Sequence, residues 1–286
     1  MSIIDARVRL PQDRREGAYS APARQVEQYD AVLGLSDKMN GGTLDGLLSE
    51  MKAEGIGQAV MHAESEGGEH GERLNDQLAQ VLDEHPDTFK GIGCIDILGA
   101  RPTDMARQGA RIAERDFVGL SFQPAFFGVD IDERALYPLY SRAEELSLVV
   151  CVHTGITYSR LHPLRHERPE MLDQVACDFP DLRLVACHAG WPWATEYAAV
   201  ARRHPTVFLE FGALAPKYVA RPGTGWDAMF AMMGNVLQDQ VLYGSDWPMM
   251  APERALREWR ASGLDEDDLS SLFHDNAARL FGFTSR

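Results

Sequence analysis

"SLVVCVHTG" (residues 147–155), "RPEMLDQVACDFP" (168–180) and "LRLVACHAG" (182–190) decide the fold. The outer two are short apolar runs that each reach a histidine and then a glycine. Such runs read as strands buried on both faces. Between them, apolar residues recur at helical spacing. A strand, a helix and a second strand make the crossover unit of a parallel sheet.

The unit repeats outward in both directions. Upstream lie strand-like "IIDARVRL" (3–10), "IGQAVMHA" (56–63), "KGIGCIDI" (90–97) and "FVGLSFQP" (117–124). The helical patterns there are "LDGLLSEMKAEG" (44–55), "LNDQLAQVLDEHP" (74–86), Met105 to Glu114 and "LYPLYSRAEEL" (136–146). Downstream, "VFLEFGA" (207–213) and "QVLYGSDWP" (240–248) read as strands. "WATEYAAVARRHP" (193–205), Gly225 to Leu237, "PERALREWRASG" (252–263) and "DLSSLFHDNAARLFGF" (268–283) read as helices. Eight strand–helix units in 286 residues predict a closed (β/α)8 TIM barrel, one domain over 1–286. No GxGxxG or P-loop sequence follows the first strand, which disfavours a dinucleotide fold.

Bulk composition narrows the partners. A formal charge of -15 argues against nucleic acid, whose phosphates need clustered Lys and Arg. No apolar run spans a bilayer, and the N-terminus carries no secretory signal pattern. The four cysteines form no CxxC pair and read as reduced thiols of a cytoplasmic protein.

In such barrels the working site lies at the C-terminal ends of the strands. Those ends carry Arg7 and Arg9, His62 and Glu64, Ser121 and Gln123, His153, His188, Glu210 and Asp246. One histidine at a strand end is an ordinary core residue; two with an aspartate at three ends point to a site. Asp5, Arg7 and Arg9 alternate along the first strand and so share one face. Trp191, Trp193 and Trp247 flank His188 and Asp246 and are candidates for an aromatic wall. The loop "YSRLHPLRHERPE" (158–170) gathers Arg160, Arg165, Arg168, His162 and His166. It reads equally as a field that attracts an anion and as a solvated loop paired to acidic helices.

Five segments in order resemble the amidohydrolase-2 family of the amidohydrolase superfamily, the group related to aminocarboxymuconate semialdehyde decarboxylase. They are "HPDTFKGIGCID" (85–96), "LVVCVHTG" (148–155), "DFPDLRLVACHAGWPWATE" (178–196), "LYGSDWP" (242–248) and "NAARLFGF" (276–283). The family opens with IDxHxHxxP, where this chain reads "IDARVRLP". By resemblance, Arg7 and Arg9 stand where the first two metal-binding histidines belong. A guanidinium has no lone pair to offer and repels a cation.

The resemblance leaves His153 and Asp246 as matched metal ligands. Catalytic zinc sites normally use three protein ligands. A third would come from Asp5, Glu64, Glu210 or His62. The expectation is therefore no metal cofactor, with a divalent ion such as Zn²⁺ on His153 and Asp246 as the alternative. Metal-independent relatives such as pyrone dicarboxylate lactonase supply a precedent. By that precedent Asp246 is the general base, with His188 and His153 polarising a carbonyl or moving protons. Arg7, Arg9, His62, Glu210, Trp191 and Arg160 would bind the substrate.

The implied activity is hydrolysis of a lactone or amide-like bond in a small, carboxylated, cyclic or aromatic compound. Non-oxidative decarboxylation, or another lyase or isomerase step, is the alternative. A catalytically inactive ligand-binding barrel is the second. A small anionic molecule is the expected partner, and the resemblance leaves a homodimer open.

Overall fold

The structure, a computed structural model, describes residues 2–15, 23–66 and 70–284. Strand β1 (Ile3–Arg9) is buried along its whole length, charged residues included. Helices α1 (Ala23–Leu33) and α2 (Leu35–Gly41) follow, in a segment to which the strand–helix alternation assigns nothing.

From there the alternation runs as predicted. The elements are α3 (Leu44–Glu54), β2 (Ile56–His62), α4 (Gly71–Glu84), β3 (Phe89–Cys94), α5 (Pro102–Glu114), β4 (Gly119–Phe122), α6 (Tyr137–Glu145) and β5 (Val149–His153). Then come α7 (Pro169–Asp178), β6 (Leu184–Cys187), α8 (Ala194–Arg203), β7 (Val207–Glu210), α9 (Pro216–Val219) and α10 (Asp227–Met233). The chain ends with β8 (Val241–Leu242), α11 (Pro252–Arg260), α12 (Glu266–Ser270) and α13 (Asn276–Phe281). The single helix predicted over 268–283 is divided by a wider π turn at Ser271–Asp275.

Local chemistry sets these bounds. The Thr43 hydroxyl caps α3 by accepting from Gly46 N at 3.1 Å. Gly55 ends the helix at φ 72°, where a side chain is disfavoured. Helix α4 buries Leu74, Leu78 and Val81, one stripe at helical spacing. Pro102 and Pro252 open α5 and α11, where a missing N–H costs nothing.

The eight strands form one parallel sheet in the order β1 to β8. The chain beyond β8 closes it onto β1. Ala6 N donates to Tyr243 O, Asp246 N to Arg7 O and Arg9 N to Trp247 O, each at 2.9 Å. Ile4, Val60, Ile92, Val149, Val185 and Leu242 meet Leu280 and Phe281 of α13 in one apolar cluster. Another joins the strands to the surrounding helices. Arg7 and Arg9 therefore lie beyond the apolar layer, toward the open end, whereas Asp5 sits within it between Ile4 and Ala6.

β1 carries one extra residue against β2 between Asp5 and Val8. Such a bulge bends a strand and re-aims a side chain. Here it lies beside Arg7.

Candidate active site

A buried ion cluster forms one wall of the cavity at the strand ends. Asp246 Oδ1 accepts from Arg7 Nε and Arg9 Nε, both at 2.9 Å, and Asp246 Oδ2 accepts from Arg9 Nη2 at 3.1 Å. Arg7 Nη2 pairs with Glu64, and Arg7 Nη1 points at Cys187 Sγ at 3.1 Å. Arg9 Nη1 reaches Glu66 Oε1 at 2.6 Å and lies 2.8 Å from Glu64 Oε2. Burial favours the neutral Asp246 carboxyl, but Arg9 and Arg7 outweigh it and hold it well below the usual carboxylate range. Arg15 is also near Glu66 and Glu64. Three guanidinia thus face three carboxylates. The fork of Arg9 that a substrate carboxylate would need is closed on Asp246.

The two histidines stand on the same cavity with ring centroids 4.9 Å apart. His188 donates Nδ1–H to Gly212 O at 2.8 Å. Burial, then Arg7, push it down to about 3, so it is neutral at pH 7 with its lone pair on Nε2. His153 Nδ1 lies 3.0 Å from Glu167 Oε2, and Glu167 is fully buried. Burial raises the Glu167 carboxyl, against the pull of His153. A carboxylate on Nδ1 fixes the tautomer and leaves Nε2 as the working nitrogen.

His188 and Asp246 hold φ at 65° and 54°, a left-handed conformation unusual for such residues. Hydrogen bonds retain it. Met249 N donates to Asp246 O at 2.9 Å, and Glu210 Oε2 accepts from His188 N at 3.4 Å. Strain of this kind gathers at working sites.

Of the residues singled out in the sequence, Arg7, Arg9, His153, His188, Trp191 and Asp246 come together around this cavity, with Glu64 and Gln123. His62 and Glu210 are buried outside its lining: His62 Nε2 lies 3.3 Å from Ala6 O, and Glu210 binds the Gly212 and His188 amides. Arg160 is exposed, and what the loop offers instead is its backbone N–H, bound to Gln28 Oε1 of α1 at 2.5 Å. Trp247 is a core residue whose indole N–H reaches Glu50 Oε1 at 3.2 Å.

Sequence reasoning passed over Glu167, Glu66, Tyr29, Leu33 and Leu35. Glu167 lies inside the Arg- and His-rich loop, where its own charge was masked by its neighbours. Tyr29, Leu33 and Leu35 come from α1 and α2 and form the apolar side of the cavity. Tyr29 Oη is 2.7 Å from Thr157 Oγ1, which holds α1 against the loop after β5.

Two buried carboxyls set a pH dependence. Burial pushes Glu210 up to about 8, with Arg7 opposing, and pushes Asp5 up to about 7, with Ser245 opposing. Gly212 and Gly244 make room for the Glu210 carboxyl, since a Cβ at either would strike it. The folded state keeps protons here that an unfolded chain releases at about pH 4. Their stabilisation is complete below about pH 4 and is lost as pH rises through 7 and 8. Asp246 acts in the opposite sense, stabilising above about pH 4 and failing in acid. The urea midpoint is expected to fall between about pH 5 and about pH 8.5, and Glu210→Gln to flatten much of that fall. An unchanged slope in the variant would show that Glu210 is ionised throughout.

The family model for amidohydrolases matches residues 4–283. The chain belongs to the amidohydrolase family. No protein of curated function matches it. An uncharacterized TIM-barrel protein from Bordetella bronchiseptica is 26% identical with a TM-score of 0.78, covering 99% of each chain. A probable 2-pyrone-4,6-dicarboxylic acid hydrolase from Acinetobacter baumannii, with citric acid bound, shares the fold at 16% identity and TM-score 0.67, over 99% of this chain and 100% of its own. So does a dihydroxybenzoic acid decarboxylase from Polaromonas with bound manganese, at 15% identity and TM-score 0.71, over 100% of this chain and 98% of its own.

The donor set of this amidohydrolase does not fit a divalent ion at the cavity. Both oxygens of Asp246 accept from guanidinium groups, and the nearest positive charges are fixed there. Among the described residues, the only His, Cys, Asp or Glu trio with donor atoms within 4.8 Å of one another is Asp173, Cys177 and His204, away from the cavity. No helix among the described residues is long and apolar enough to cross a membrane.

Proposed function

We propose that this amidohydrolase is a metal-independent hydrolase of a small, uncharged, cyclic or aromatic ester, lactone or amide, with His153 as general base. The buried Glu167–His153 pair carries this reading. His153 Nε2 takes the proton of a water as its oxygen attacks the carbonyl. Glu167 stabilises the imidazolium that forms, which then returns the proton to the leaving group. Neutral His188 accepts the water's other O–H and orients it. The imidazolium forming on His153 supplies positive charge beside the developing oxyanion, since Arg7 and Arg9 are already neutralised by Asp246, Glu64 and Glu66. Asp246 is a poor proton acceptor because its carboxylate is paired twice, so its role is to hold both arginines in place.

The substrate reading shifts from carboxylated to uncharged. A carboxylate brought here would compete with Asp246, Glu64 and Glu66 for guanidinia those groups already hold. The same balance disfavours decarboxylation, which must begin with a bound carboxylate. The cavity lies between the ion cluster, the two histidines and the apolar side of Tyr29, Leu33 and Leu35, which suits a small organic molecule. Four free cysteines suit a cytoplasmic setting.

The test is an assay after chelation and gel filtration, with dihydrocoumarin and phenyl acetate as neutral probes and 2,6-dihydroxybenzoate as the carboxylated one. Hydrolysis of the neutral probes at an unchanged rate is expected. Activity that vanishes and returns only with Zn²⁺ or Mn²⁺ would overturn metal independence. Release of CO₂ from the benzoate without ester hydrolysis would overturn the reaction.

A further inference from the structure

Beside the cavity of His153 and His188 lies a second one, and the two share a wall. Tyr158, Trp191, Ala213 and Leu214 line both. The second is otherwise bounded by Ala215, Tyr218, Val219, Thr224 and Trp226, from α9 and the loops around it. Among the described residues, no charged side chain lines it. Besides the phenol groups of Tyr158 and Tyr218, it has the Thr224 hydroxyl, which is turned to the carbonyls of Tyr218 and Arg221, each at 2.7 Å. Four aromatic rings, those of Tyr158, Trp191, Tyr218 and Trp226, thus line one space.

The ring at the boundary is held in place. Trp191 follows the loop of His188, and its indole N–H reaches Thr224 O at 3.3 Å. One residue thus belongs to the reacting end and to the annex. Trp226 is almost wholly buried and packs on Phe211 of the core at 6.1 Å between centroids. The ammonium of Lys217 lies 5.0 Å from the Tyr218 ring centre. These contacts fix Trp191 and Trp226 as the inner side of an annex that is open to solvent at the half-exposed Tyr218.

We propose that this annex receives a flat, uncharged aromatic arm of the substrate while the reacting carbonyl sits at His153 and His188. The inference rests on the hydrolase reading for what happens at the carbonyl, and adds the substrate's second half. The compound is then two-part: a neutral carbonyl head and an aromatic tail that passes Trp191. Trp191 and Tyr218 would set the selectivity for that tail. A tail bearing a carboxylate or phosphate would set its charge against the faces of aromatic rings, so the annex favours an uncharged one.

Binding of phenol and of 4-phenylphenol to the full chain, followed by calorimetry, tests the annex without any turnover. The added ring is expected to tighten binding by about 10- to 100-fold, the usual yield of burying one aromatic ring. Ala215→Phe fills the annex from a partly buried loop position. It should erase that gain while leaving phenol binding unchanged. Equal affinities in the wild type, or an equal loss for both ligands in Ala215→Phe, would overturn the proposal. A parallel comparison of phenyl acetate with 4-biphenylyl acetate separates the two readings. If neither ester is cleaved while the affinity gap persists, hydrolysis falls and the annex stands. If both are cleaved with the same kcat/KM and the affinities are equal, the annex falls and hydrolysis stands.

Discussion

His153→Gln is expected to lower kcat by about 10²- to 10⁴-fold, the usual cost of losing a positioned base. Glutamine keeps a hydrogen-bonding amide on Glu167 but cannot take up a proton at neutral pH. The buried ring is replaced with little loss of volume, so the thermal midpoint should stay near that of the wild type. Glu167→Gln is expected to cost a comparable factor by a different route. Its amide cannot stabilise the imidazolium that forms on His153, nor hold the ring in one tautomer. Both variants are measured as kcat on phenyl acetate beside a melting curve. Full activity in a folded His153→Gln protein would move the base to another group, with Asp246 the first to examine.

Arg7→Met is expected to destabilise the fold by about 3–5 kcal/mol, the range for removing one partner of a buried ion pair. The reason is what it leaves behind. Glu64 and Asp246 are both almost fully buried, and Arg7 contacts both. Their charges would remain without one of the two cations that neutralise them. Arg7→Met with Glu64→Gln should recover part of the loss, because the second change removes a charge the first has stranded. Urea titration of the two single variants and the double variant measures that coupling. A wild-type midpoint in Arg7→Met would mean that the cluster is not structural. If that protein also bound a carboxylated lactone more weakly, Arg7 would become a substrate-binding residue again.

The barrel is legible because its signal is local and repeated. Each strand is a short run buried on both faces, and each intervening helix carries one apolar stripe. The segments that the alternation leaves unread or runs across are those whose pattern is set by distant contacts. α1 and α2 lie on the loops and not on the barrel, with Leu35 and Met39 packing on Met249 in a small cluster of their own. Nothing in their own spacing announces that partner. The π turn at Ser271–Asp275 is hidden for a similar reason, since the helical pattern runs on across it.

At the site, the division falls between which residues and which roles. Sequence by itself was enough to place Arg7, Arg9, His153, His188 and Asp246 at strand ends, because strand ends in a barrel converge whatever the loops do. By resemblance it also set guanidinium groups where the family carries histidines, and covalent chemistry alone says that a guanidinium offers no lone pair. Only the tertiary structure decided what those charges face. Glu64 and Glu66 reach Arg7 and Arg9 from the segment after β2 and Asp246 from the segment after β8, and Glu167 reaches His153 from a loop fourteen residues on. Whether a buried charge is free to bind a ligand or already spent on a neighbour depends on distances of a few ångströms across the barrel, and spacing along the chain carries no record of them.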